Sequence, residues 1–158
     1  MPKRTTLDWV LEAVSLAVLV SIFVNVAAHW SELPDRVPRH YGFLGDPNRW
    51  GGKGYLWVAP FAAVGLYVLM TAASRYQGLI NLPFTVDWKL PEAQKLLLSL
   101  SLFLKAGFVL TFAYMSRAGI NAALGTAQGL GPMFLPISLA AILCPMIFFT
   151  LKLRRYRT

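Results

Sequence analysis

The sequence predicts an all-α integral membrane protein, a four-transmembrane-helix bundle with both termini cytoplasmic. Three observations carry this expectation. The chain has 158 residues, of which 56% are apolar and only 14% charged, and its mean hydropathy of +0.53 is high for a water-soluble domain of that length. The charges gather between long apolar stretches instead of alternating with them, as expected where lipid replaces water around helices. Four stretches, at about residues 10–29, 55–73, 96–115 and 132–151, are each long enough to cross roughly 30 Å of hydrocarbon at about 1.5 Å per residue. Lipid cannot satisfy a backbone N–H or C=O, so these runs must be helices. They are too continuously apolar for the alternating code of a barrel. Residues 1–158 therefore read as a single membrane domain.

The first run follows Lys3 and Arg4, as a secretory signal does, and Val26-Ala27-Ala28 resembles a cleavage site. It is longer than a signal core, and Glu12 interrupts its start, so it is expected to be an uncleaved anchor. An exterior loop, residues 31–53, comes next. Its prolines and glycines fix several turns, which makes it compact and a candidate binding surface. The second run contains Pro60 and the fourth Pro136 and Pro145, each expected to remove a backbone hydrogen bond and kink its helix. Between the second and third runs, Asn81-Leu82-Pro83-Phe84 and Trp88-Lys89-Leu90-Pro91 suit a segment lying along the cytoplasmic surface. The third connection, residues 116–131, is rich in Gly and Ala and reads as a flexible exterior link or a short weak helix.

Orientation follows from the basic residues. The side receiving the termini and the second loop has Lys3, Arg4, Arg75, Lys89, Lys95, Lys152, Arg154, Arg155 and Arg157; the other has Arg36, Arg39, Arg49, Lys53 and Arg117. The more basic side is the cytoplasmic one. Trp9, Trp30, Tyr55, Trp57, Tyr76, Tyr114 and Tyr156 sit near span ends, where amphipathic rings favour the interface. The net charge of +8 forms no single basic stripe, so no nucleic-acid partner is expected. Cys144, the one cysteine, permits neither an internal disulfide nor a cysteine metal cluster.

The exterior loop carries the most specific pattern. Leu33-Pro34, Pro38, His40-Tyr41, Gly45, Pro47-Asn48 and Trp50-Gly51 ahead of Lys53, flanked by a span on each side, resemble the domain of unknown function 1648 family, which forms the N-terminal membrane part of SdpI-type immunity proteins. The resemblance covers about residues 10–73. The chain departs from the family at Asn48, where an acidic residue is usual. The resemblance implies a multi-pass protein of the bacterial inner (plasma) membrane, with immunity against a membrane-active toxin or envelope signalling as the activity. It implies no established catalytic mechanism, and the leading expectation is a non-enzymatic protein whose exterior loop recognises a peptide, lipid or membrane partner through His40, Tyr41, Asp46, Asn48, Trp50 and Lys53.

Other chemistry is sparse. His40 with Glu32, Asp35, Asp46 and His29 matches no strong metal motif, and these side chains read as turn caps and loop hydrogen bonds. There is no catalytic triad, phosphate loop or paired intramembrane carboxylate, so neither an enzyme nor a cofactor is expected. Lys105 lies near the middle of its span, where a charge is costly and needs a partner. By helical rise, Glu12 and Asn25 each lie about 9–11 Å from it in depth, on opposite sides. Ser21, Asn25 and His29 recur every four residues as a polar stripe on the first span, expected to meet the Lys105–Ser101 face. Two further readings follow: a small transporter or ion-conducting protein using Lys105, Asn25 and His29, or an accessory subunit of a larger membrane complex. The expected partners are the bilayer and a membrane protein or peptide; the sequence does not set the oligomeric state.

Overall fold

The computed structural model describes residues 3–76 and 82–158. Among these residues it is mostly helical, with four helices long and apolar enough to cross a membrane. The chain runs α1 (Thr6–Ala28), β1 (Arg36–Tyr41), β2 (Pro47–Gly52), a 3-10 turn (Lys53–Trp57), α2 (Val58–Ala73), α3 (Pro91–Ala123) and α4 (Phe134–Leu153), closing with a second 3-10 turn at Arg154–Tyr156. Local sequence signals account for the starts of α1 and α3. Thr5 caps α1 in a reciprocal capping box with Asp8, satisfying backbone N–H groups that the first turn leaves free. Pro91 opens α3 at a position where a missing N–H costs nothing.

α3 is the spine. It packs against α1, α2 and α4, whereas α4 packs mainly on α3 and buries only Phe149 and Leu153. Three apolar layers stack along the bundle. Val26, Leu33, Val37, Leu56 and Ile120 close one end; Leu19, Ile22, Ala63 and Val109 fill the middle; Val86, Ala93 and Leu153 close the other end. The last layer is tied by a backbone bridge between Val86 and Arg157, so the tail lies against the second loop. Outward faces remain apolar: Val14, Val20, Phe61, Val68, Ile137 and Leu151 are all exposed, as expected of helices solvated by hydrocarbon.

Several expectations change. Residues 116–123, read as a flexible link or weak helix, continue α3, and Ala118, Gly119, Ile120 and Ala122 are buried there. Small residues here permit close packing instead of slackness. Pro60 and Pro136 fall in the first turns of α2 and α4, where no intrahelical bond is lost, so only Pro145 stands inside a helix. Pro145 has no N–H for the carbonyl of Ala141, and that carbonyl faces Gly107 so closely that a Cβ there would meet it at 3.1 Å. α3 and α4 therefore cross at Gly107. Of the second-loop motifs, Asn81 lies outside the described residues, while Leu82, Phe84 and Trp88 pack on the Val86–Leu153 layer. The loop between α1 and α2 contains a β-hairpin that turn signals alone do not disclose.

Candidate functional site

The hairpin pairs β1 with β2 antiparallel, from Arg36 opposite Gly52 to Tyr41 opposite Pro47. The register shifts on either side of His40, leaving Arg39 and Asn48 as extra residues on their strands. These irregularities bring His40 Nδ1 to 2.7 Å from Asn48 Oδ1, with the ring nitrogen as donor to the amide oxygen. Both residues are exposed, as are Arg49 and Trp50 on β2. At the tip, Gly42 N–H donates to Asp46 O at 2.8 Å, and Gly45 adopts φ +86°, a conformation that glycine tolerates.

Three contacts dock this hairpin on the bundle. Leu33 and Val37 are buried against Val26, Leu56 and Ile120. The Tyr41 hydroxyl rests 3.1 Å from where a Cβ on Gly119 would lie, and burial pushes the Tyr41 phenol pKa up. The tip meets the α3–α4 connection backbone to backbone: Leu130 N–H donates to Gly45 O at 2.8 Å, and Tyr114 OH to Leu130 O at 2.8 Å. Gly129 and Gly131 have positive φ, and a Cβ on Gly129 would collide with Gly45 O. β1 thus faces α3 while β2 lies outward. Among the described residues, no backbone hydrogen bond other than those to β1 involves residues 48–51.

Residues 16–64 match the family described as a domain of unknown function, DUF1648. It is the same family that the loop motif resembles. The DUF1648 segment takes in most of α1, the whole hairpin and the start of α2, and leaves α3 and α4 outside. The chain is also 28% identical to an uncharacterized protein of Archaeoglobus fulgidus over 158 residues, covering 88% of this chain and 83% of that one. No solved structure matches.

The expected loop residues divide. His40 and Asn48 touch each other, and Trp50 stands beside them, opposite Pro38 and 44% exposed. Tyr41 turns inward on Gly119, Asp46 serves the tip through its backbone, and the Lys53 amine sits 5.1 Å over the Trp30 ring. Among the described residues no group of three His, Cys, Asp or Glu side chains converges.

Within the bundle, Lys105 is buried, at 2% exposure, and its Nζ lies 2.7 Å from Glu12 Oε1. Tyr67 OH donates to the same oxygen, the Lys105 amine lies 4.3 Å from the Tyr67 ring centre, and Arg4 Nη1 reaches Glu12 Oε2 at 3.3 Å. Glu12 is thus the partner, and the expected meeting of the polar stripe with Lys105 does not occur. Ser21 turns to Val18 O, and His29 Nδ1 donates to Asn25 O at 2.9 Å on its own helix. Ser21 and Asn25 line a separate cleft of about 610 Å³ with Tyr114 and Arg117. Sequence reasoning missed Tyr67 and Arg4: a tyrosine inside an apolar run carries no signal of its own, and Arg4 counts first as an interfacial charge.

Proposed function

We propose that this multi-pass membrane protein is a non-enzymatic recognition protein, whose hairpin binds an extended segment of a membrane-active peptide. In this reading it resembles an SdpI-type immunity factor of the bacterial inner membrane, with both termini cytoplasmic and the hairpin outside. The observation that carries it is the outward strand β2, whose backbone edge is unshared among the described residues while β1 is anchored on α3. Such an edge accepts a strand by main-chain hydrogen bonding, and neighbouring side chains supply selectivity. Trp50, the His40–Asn48 pair and Arg49 flank it. A secreted peptide would arrive from that side.

The recognition reading is favoured over a polar path through the bundle. The Lys105 amine is committed to Glu12, and Asn25 belongs to a different cleft. The test is protection of cells against a secreted membrane-active peptide. Loss of protection in His40→Ala, Asn48→Ala and Trp50→Ala variants that insert normally is expected. Full protection by all three rejects the proposal, and a solute flux in proteoliposomes abolished by Lys105→Leu would favour the transport reading instead.

A further inference from the structure

From the Gly107 crossing, α3 and α4 separate toward the end of the bundle that holds the chain termini, and Leu153 brings them together again against Ala93 and Val86. Between these two points lies a surface groove of about 830 Å³. Its walls are two helical stripes. Leu96, Ser99 and Phe103 follow one face of α3, and Cys144, Pro145, Phe148 and Phe149 follow one face of α4. The deep part is therefore apolar and the mouth is not. Lys95, Lys152 and Arg155 stand at the mouth with a single carboxylate, Glu92, in the first turn of α3. None of the three cations is within ion-pair distance of a carboxylate among the described residues. The Lys152 ammonium lies 4.3 Å from the Phe148 ring centre, so its stem runs along the wall while its charge stays at the rim.

We propose that this groove is a binding site for a single phospholipid with an anionic headgroup. One acyl chain lies along the groove floor formed by the Phe103–Phe149 ring contact, beside Leu96 and Phe148, and the phosphate sits among Lys95, Lys152 and Arg155. The volume is in the range of ligand sites, and the distance from Lys95 to Phe103, or from Lys152 to Cys144, is about 12 Å along a helix, enough to shelter much of a chain. A soluble anion would leave the apolar walls unused, and a neutral lipid would leave the rim unanswered. A lipid phosphate meets both halves, and clustered Lys and Arg at the membrane surface attract anionic headgroups. The site lies at the opposite end of the bundle from the hairpin and does not depend on what the hairpin binds.

The experiment is native mass spectrometry of the full-length protein in mild detergent, titrated with phosphatidylglycerol or with phosphatidylcholine of the same acyl chains. Preferential retention of phosphatidylglycerol is expected, reduced at least about tenfold in Lys95→Gln/Lys152→Gln/Arg155→Gln. The Arg154→Gln/Arg157→Gln variant, with two basic residues of the same tail outside the groove, should keep it. Cys144→Trp, which fills the apolar part with every charge in place, should lose it, and decides the matter if the triple variant is not monodisperse. Equal retention of both lipids overturns the proposal, as does equal loss in the control variant, undiminished binding in Cys144→Trp, or equal binding of chain-free glycerol phosphate.

Discussion

Removing the Glu12 carboxylate should destabilise the bundle more than removing the Lys105 amine. In Glu12→Gln, Lys105 stays at 2% exposure and exchanges a carboxylate at 2.7 Å for an amide, with only the Tyr67 ring to offset the loss. In Lys105→Met, Glu12 keeps Arg4 and Tyr67 as partners and remains 17% exposed at its side chain. Breaking a buried ion pair from one side costs about 3–5 kcal/mol in water-soluble proteins. In a bilayer the unfolded helices also find partners, and single polar contacts average about 0.6 kcal/mol. An unpaired intramembrane charge lies between these limits, so Glu12→Gln should cost about 2–3 kcal/mol. Lys105→Met should cost under about 1 kcal/mol. The double variant should match Lys105→Met, because the stranded charge is gone. Reversible unfolding in mixed micelles of increasing denaturing detergent, run on all four proteins, measures the cycle. If Lys105→Met is as damaging as Glu12→Gln, the reasoning from unequal partner sets is wrong.

Other outcomes follow from the hairpin and the topology. Gly45→Ala forces φ +86° on a residue with a Cβ and drives that atom into the backbone of Gly131; the strain alone is about 1–2 kcal/mol, and faster amide exchange at residues 42–46 with α3 unaffected would report undocking. Burial raises the Tyr41 pKa, so its contribution to docking is complete below about pH 10 and is lost as pH rises through the raised value of the docked state. The stability difference between wild type and Tyr41→Phe should therefore shift against wild type above about pH 10, and a difference independent of pH refutes this. In a Cys144→Ser background, Leu44→Cys and Thr158→Cys should react with an impermeant thiol reagent from opposite faces of the membrane; labelling from one face removes the proposed orientation.

The helices were legible because hydrocarbon imposes a long continuous apolar run on any spanning segment. Helix ends outside the lipid carry no such signature. Ala118, Gly119 and Ala122 read as a loose link, since Gly and Ala are equally the residues of flexible tethers and of tight contacts; only the hairpin seated on Gly119 distinguishes the two. The hairpin was hidden for a similar reason. Extra residues at Arg39 and Asn48 break the period-two alternation that reveals a strand, and Pro38 and Pro47 read as turns. Glu12 was within reach of Lys105 by helical rise, but rise gives depth and not azimuth. Asn25, at a comparable depth on the other side, faces another cleft.

The DUF1648 segment ends before the helix on which its hairpin depends. An isolated two-stranded hairpin is marginal in water. Here full burial of Leu33 and Val37 contributes roughly 1.5–3 kcal/mol each, and part of what they bury against, Ile120, belongs to α3. The Gly45 tip is likewise held by Leu130, beyond the end of α3. A segment carrying only residues 16–64 therefore has the hairpin but not the wall that orders it. The ordering entropy of the hairpin is met by folding of the bundle, so the strand binding proposed for β2 would not bear that cost itself.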